Sequence, residues 1–420
     1  MIQTLRKVHG LTSIVFISSL LASSADAHKT SSLLPTGIFR ARVVNVFGEP
    51  VVNKFDQNGD RQELLAPLER TVGASTLAAS KPELKTLYDS LNSFEPNLGD
   101  DLFSAQLLAD AKINFHQITT ALEYGLTDRV SLGVIVPFVQ ITGSSSFDAK
   151  VSSKSASIKN KVMGTLLENG VTQFESQIPG RDALAAGLFT ANGYEIPGDF
   201  QYAGLGDIEI GAVVQPYKNG TFLTAIQTGF RLPTSTHKKD YANLLDQGTG
   251  DEQLDFAFEA GFDAKVTSRL TTGFHSRYTF QFGRNAEMPV LKTGKSGLPD
   301  LKDPTSFVVV DRNLGDVFEN EAYLDYTINK TWSPYVAYTY TMRGADRYSG
   351  PSGYDYNSLM ENTAGRSHSL MVGMTISTIP AYAAKTIPVP MKIDASYTKV
   401  LNATNDTDAA YGRLDLIVFF

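Results

Sequence analysis

The 420-residue chain contains no cysteine. That absence removes disulfides, thiolate zinc sites, thioredoxin-type chemistry and cysteine nucleophiles together. Charge is scarce as well, at 19% of residues, and the balance is acidic, with 37 Lys+Arg against 44 Asp+Glu. A broad basic surface for nucleic acid is therefore not expected. Beyond residue 27 no apolar run approaches the roughly 20 residues of a transmembrane helix. The sequence also lacks H-E-x-x-H, a P-loop and G-x-S-x-G. Gly204-Leu205-Gly206-Asp207 holds part of a dinucleotide fingerprint but opens an alternating strand, which argues against that use. Asp56-Gln57-Asn58-Gly59-Asp60 begins like a calcium loop. Its glycine comes too early, and Pro67 stands where the bidentate Glu belongs, so an ordinary turn is expected. His116, His275 and His368 lie in strands without metal-ligand spacing. No catalytic residue, metal or cofactor is nominated.

What the chain does contain is 42% hydrophobic residues, arranged in a particular way. At the start, Arg6 and Lys7 precede an apolar stretch from Leu11 to Leu21 and the A-x-A sequence Ala25-Asp26-Ala27. Residues 1–27 read as a cleaved secretory signal, leaving 28–420 as the exported protein. Further on, the pattern is strict alternation. Leu254, Phe256, Phe258, Ala260, Phe262 and Ala264 occupy every second position, interleaved with Asp255, Ala257, Glu259, Gly261, Asp263 and Lys265. Leu270 to Phe282 repeats the pattern. Such runs exceed the usual five or six residues of a soluble strand and suit a wall with lipid on one side and water on the other.

Twelve such segments can be placed, at 37–47, 105–124, 130–141, 206–217, 221–232, 251–265, 269–282, 316–328, 332–343, 367–378, 390–401 and 409–420. In the second, parity slips near Gln117 and a bulge is expected. Connections after even-numbered segments are short, and most after odd-numbered ones are long. This asymmetry, with an even count, predicts an all-β, single transmembrane barrel of about 12 antiparallel strands with short periplasmic turns and long extracellular loops. Aromatics near strand ends (Tyr124, Phe138, Tyr217, Phe222, Trp332) suit interfacial girdles. In the long loops 48–104 and 142–205, short helices are expected. One starts at Ser80-Lys81-Pro82 and carries Leu84, Leu87, Tyr88, Leu91 and Phe94; the other carries Ile158, Val162, Leu166 and Leu167 and stops at Asn169-Gly170. They would serve as a plug in the barrel or a cap on its rim.

With the apolar face outward, the lumen receives a mixed set of charges. The acids are Glu123, Asp207, Glu209, Asp255, Glu259, Asp263, Glu319, Glu321, Asp325, Asp394 and Asp415. The bases are Arg40, Arg42, Arg231, Lys265, Arg277, Arg343, Lys392 and Arg413. For most of them a cross-strand structural pair is the plain expectation. Glu259, His275, Arg277, Glu321 and Arg343 are the pore-lining candidates. A barrel of this strand number leaves a narrow lumen once side chains fill it. The final strand places Leu414, Leu416, Val418 and Phe420 on one face, and its terminal aromatic resembles the signal read by the outer-membrane assembly machinery.

Several stretches resemble one family. Tyr124-Gly125-Leu126-Thr127-Asp128-Arg129, continuing to Pro137, is similar to its "YGLTDR-x-SLG-x-x-x-P" hairpin. Gly204-Leu205-Gly206-Asp207 is similar to its "GLGD" strand. Gly229-Phe230-Arg231-Leu232-Pro233-Thr234 is similar to its "G-x-R-L-P-T-G" strand end, with Ser235 in place of the glycine. Gly248 to Asp255 is similar to its "G-x-G-x-Q-D" stretch. Together, across about 105–282, they resemble the MetA-pathway phenol-degradation family of outer-membrane transporters, distantly related to FadL-like hydrocarbon channels. The resemblance implies passive uptake of small hydrophobic or aromatic solutes across the outer membrane, with lipid, solute and assembly machinery as partners. Two other readings stay open: a structural or adhesin-like surface barrel acting through its loops, and an outer-membrane lipid hydrolase. The hydrolase is disfavoured because His275 falls on the lumen face, away from lipid.

Overall fold

The computed structural model describes residues 33–420 other than 81 and 296. The signal read in 1–27 lies outside them. Twelve antiparallel strands close into one barrel. Counting barrel strands only, they are β1 (Phe39–Gly48), β2 (Ser104–Thr127), β3 (Val130–Ser152), β4 (Ile208–Val214), β5 (Phe222–Leu232) and β6 (Asp255–Lys265). The rest are β7 (Leu270–Gln281), β8 (Val317–Tyr326), β9 (Trp332–Arg343), β10 (Gly365–Ser377), β11 (Met391–Thr404) and β12 (Ala410–Phe419). Each pairs with its chain neighbours, and β12 closes on β1 with Arg40 opposite Phe419 and Gly48 opposite Tyr411. Closure leaves no strand edge to template aggregation. Every expected segment overlaps one strand; the turns after β2, β4, β6 and β8 are short, the one after β10 spans 378–390 with a helical turn, and after odd-numbered strands only 405–409 is short.

Alternation builds the wall. Ile210, Phe230, Phe258, Leu324, Val372 and Leu416 all point outward, each more than a third exposed. Rings line up across strands in two rows. Phe230, Phe256 and Phe280 follow one another at 5.2 and 6.3 Å, and Phe222, Phe262 and Phe274 at 5.5 and 6.2 Å. So much exposed apolar surface is stable only against lipid. Phe420 stacks on Phe39 at 5.7 Å, and their backbones exchange hydrogen bonds of 2.7 and 3.0 Å across the closing seam.

Strand β2 departs from expectation at Gln117. No bulge occurs there: Ala111, Ile113, Phe115, Gln117, Thr119 and Ala121 are all buried on one face, and the register shift against β3 falls between Gly125 and Thr127. Parity holds while polarity reverses. Above Gln117 the inner face is apolar and the outer face carries exposed Gln106, Asp110 and Lys112; below it the outer face carries Ile118 and Leu122. The upper part of β2 stands clear of the membrane, with water outside and protein inside.

That protein is supplied by the first two long loops. They form α1 (Ala74–Ser80), α2 (Pro82–Phe94), α3 (Ser155–Lys161), α4 (Leu167–Glu175) and α5 (Arg181–Leu188). Leu91, Val171, Phe174 and Leu184 share one buried cluster with Leu107, Ile113 and Phe115 of β2 and Phe147 of β3. Short strands Arg70–Gly73 and Phe200–Leu205 extend the sheet beside β2 and β3 at this level. Helix α2 begins at Pro82 as its spacing predicts. The second helix differs from expectation: α3 ends at Lys161, the chain turns at Gly164 (φ +77°), and Asn169-Gly170 lies inside α4. Gly170 is no stop because the Leu87 side chain of α2 sits against it, 2.9 Å from where a Cβ would stand. The glycine permits close helix approach. Leu166 is 96% exposed at the tip of this turn, not buried with Ile158 and Val162.

Candidate functional site

The lumen is divided lengthwise. Toward β10–β12 and the periplasmic halves of β8 and β9 it is filled. Tyr323, Tyr335 and Met371 cluster there, and the Tyr335 hydroxyl donates to Asp394 at 2.7 Å, as does Thr375 at 2.6 Å. Tyr335 lies across Gly373, where a Cβ would come within 2.4 Å of the ring. Arg42 and Arg413 hold Asp415 at 2.5 and 3.2 Å. Arg42 reaches Asp415 across the seam and Arg413 from the same strand, and such pairing is the condition for carrying buried charges in a wall.

Toward β3–β7 the lumen opens into a cavity of about 540 Å³. Sequence makes the space. Gly133 faces Gly211, Gly211 faces Gly229, and Gly229 faces Ala257 in register across β3 to β6. A row without side chains thins the wall by a layer. Around it, His275 bridges Glu259 at 3.1 Å and Asp263 at 3.4 Å, and Arg277 lies 3.6 Å from Glu209. Arg231 contacts Asp255 and, at 3.1 Å, Asp251. Arg343 donates from Nε to the Thr363 carbonyl at 3.1 Å. Of the five pore-lining candidates, Glu259, His275, Arg277 and Arg343 line this cavity. Glu321 does not. It pairs with His275 in strand register but is 5% exposed within the wall, accepting from Thr339 at 3.4 Å. At the periplasmic end Leu33 and Leu34 reach the cavity beside Arg40 and Glu123, which are themselves ion-paired.

The glycine-rich sequence motifs meet at the extracellular rim. The Asp207 carboxylate accepts backbone N–H groups from Thr234 at 3.0 Å, Ser235 at 2.9 Å and Asp251 at 3.0 Å. Gly250 must lack a side chain because a Cβ would stand 2.3 Å from an Asp207 oxygen. Asp207 is thus a latch that fixes the loop after β5, not a lumen charge. Burial, with Asp251 beside it, pushes its carboxyl above the usual range.

Above the latch the cavity widens into a vestibule of loop residues: Lys238, Lys239, Tyr241, Arg284, Arg312, Tyr348 and Leu359. None was legible from strand periodicity, since they sit on loops, on the short helix Asn357–Met360 and on the small sheet Arg284–Pro289, Phe307–Asn313 and Arg347–Ser349. Lys239 keeps solvent contact through the mouth yet is ringed by the rim, and this desolvation lowers its pKa to about 8 against the pull of Asp246.

A closed twelve-stranded wall with a lipid-facing belt is the architecture of a transmembrane β-barrel, and the chain is an integral outer-membrane β-barrel that encloses a cavity. Neither a protein-family model nor a curated protein matches the sequence. Among solved structures, the fold is similar to an outer-membrane channel from Pseudomonas putida F1, at 11% identity and TM-score 0.51, covering 95% of this chain and 100% of that one. The monoaromatic hydrocarbon channel CymD aligns at 10% identity and TM-score 0.35 over 92% and 88% of the two chains. The Ralstonia pickettii toluene transporter TbuX aligns at 12% and 0.33 over 92% and 89%. At 11% identity the likeness to the Pseudomonas putida channel is one of fold.

Proposed function

We propose that the protein is a passive outer-membrane channel admitting small hydrophobic or aromatic solutes. One observation carries the reading: a single cavity, lined at one end by extracellular loops and at the other by Leu33 and Leu34 near the periplasmic turns. A wall built only for support would have no reason to align Gly133, Gly211 and Gly229 and leave that volume open. Mixed charges, mostly paired, keep the path wet without giving it one sign, while Met288, Leu314, Val317 and Leu359 add apolar surface along it. Helices α1–α5 contribute no residue to the cavity, which favours a cap over a plug. The alternating face ending in Phe420 is then the strand read by the assembly machinery.

Purified protein in planar bilayers should give stepwise conductance, and proteoliposomes should take up phenol-sized solutes faster than protein-free vesicles. A silent barrel would overturn the reading. It would favour instead a surface role through the loops, for which Met163 and Leu166, 64% and 96% exposed at the α3–α4 tip, are the contact candidates.

A further inference from the structure

The vestibule carries chemistry that a path for neutral hydrocarbons does not require. Lys238, Lys239, Arg284, Arg312 and Arg343 line it. Arg284 is ion-paired with Glu252 at 2.5 Å although its buried Nε has no partner, and Lys238 lies 3.9 Å from the same carboxylate. Lys239 and Arg312 differ: among the described residues neither has a carboxylate within ion-pairing distance. Lys239 stands 5.8 Å over the Tyr241 ring. Arg312 donates from one terminal nitrogen to the Asp251 carbonyl, and its buried Nε has no partner. The acids of this rim are mostly committed. Asp251 is taken by Arg231, Glu252 by Arg284, and Asp346 accepts the Gly315 N–H at 2.8 Å. Asp246 is held by His237 at 2.7 Å, and Glu287, exposed on its strand, remains. Asp246 attracts Lys239 and Asp346 attracts Arg312 only from beyond ion-pairing distance, so both partly desolvated cations lack a direct partner, and an incoming anion would relieve that cost.

The surroundings restrict which anion. Tyr241 and Tyr348 flank the two cations, and Met288 and Leu359 close the apolar side. A guanidinium fork matches a carboxylate in plane, an ammonium adds a point charge, and flat rings accept a flat partner. Glu252, Glu287 and Asp251 nearby would repel a dianion. We propose that the vestibule recognises a small aromatic monocarboxylate, its carboxylate bound by Arg312 and Lys239 and its ring held against Tyr241 and Tyr348. This rests on the uptake reading and narrows the solute class.

The test uses benzoate, benzyl alcohol and acetate on the full protein in planar bilayers, added on the loop side, with occlusion of the KCl current as readout. Proteoliposome uptake of labelled benzoate and benzyl alcohol runs in parallel. Benzoate is expected to half-occlude at a concentration about tenfold below benzyl alcohol (~1.4 kcal/mol). R312Q and K239Q should each raise that concentration for benzoate and leave benzyl alcohol where it was. Equal occlusion by benzoate and benzyl alcohol in the unaltered protein overturns the proposal even if a variant fails to insert, and uptake of both would show that the channel reading survives. Occlusion by acetate as strong as by benzoate overturns the aromatic half. Absence of any KCl current or uptake overturns the channel reading itself, and this inference with it.

Discussion

Below Gln117, strand β2 carries Thr119 and Glu123 inward and Ile118 and Leu122 outward; above it, Leu107 and Ile113 point inward and Asp110 and Lys112 outward. Backbone, register and alternation are the same in both halves. What differs is the medium on each side: lipid outside and a wet lumen inside below, water outside and helices inside above. Each half obeys the ordinary rule that apolar groups leave water, and the rule gives opposite faces because water has changed sides. The level of Gln117 therefore marks the extracellular surface of the membrane on this side of the barrel.

The sharpest way to break the comparison is to place the wrong group on each half. Leu107 is fully buried under the cap, and Leu107→Ala should cost about 2–5 kcal/mol by loss of contacts and a cavity. Phe258 faces lipid and is 43% exposed; Phe258→Arg should cost about 2–4 kcal/mol through the lipid phase. Denaturant unfolding in vesicles measures both. The first variant should lose protection of the loops to protease before the barrel melts, whereas the second should lower the stability of the barrel itself. Lys112→Leu, on the outer face of the upper half, should stay within about 0.5 kcal/mol because water, not lipid, meets it there. A cost like that of Phe258→Arg would sink the assignment of the membrane level.

Between the halves lies the Asp207 latch. Asp207→Ala removes the acceptor of three backbone N–H groups, and each buried donor left unmet costs on the order of 1–3 kcal/mol, less where water can enter. The expected result is selective cleavage within residues 233–254 by external protease, with the barrel still resistant to heat in detergent. Uniform destabilisation would mean that the latch belongs to the barrel and not to its rim.

The same division explains what could be read from sequence. Strand positions, order and the loop asymmetry were legible because lipid imposes period two on every crossing. The Asp207 motif was visible as a motif, but its partners Thr234, Ser235 and Asp251 come from two other stretches, so its role needed the fold. Gln117 misled because a change of hydrophobic face looks the same whether the chain shifts parity or the solvent does. Gly170 misled because a glycine that admits Leu87 is spelled like one that ends a helix. Glu321 shares a face with Glu259, yet the lumen is filled on its side and open on the other, and alternation carries no information about that. The vestibule residue Lys239 sits on a loop and Arg312 on a short strand of the small rim sheet, outside the membrane-crossing segments whose period could be read.

Lys239 stands where the two regions meet, and its titration gives the smallest expected effect. Desolvation by the surrounding rim holds its pKa at about 8, below the ordinary 10.5. With the folded value below the unfolded one, the folded state releases the proton first. Stability linked to this group is therefore present above about pH 10.5 and is lost as pH falls through about 8. The charge itself follows the opposite course: near pH 7 the ammonium is present, and by pH 9 most is gone. Asp246 and Arg312 face the same group and oppose each other in setting that value. Reversal potentials under a KCl gradient should show anion preference falling by about twofold between pH 7 and 9, on the scale of one weakly screened charge in a narrow mouth. Lys239→Gln should remove the pH dependence while Lys112→Leu, outside the rim, keeps it. A slope that persists in Lys239→Gln would move the titrating charge from the vestibule to the barrel below it.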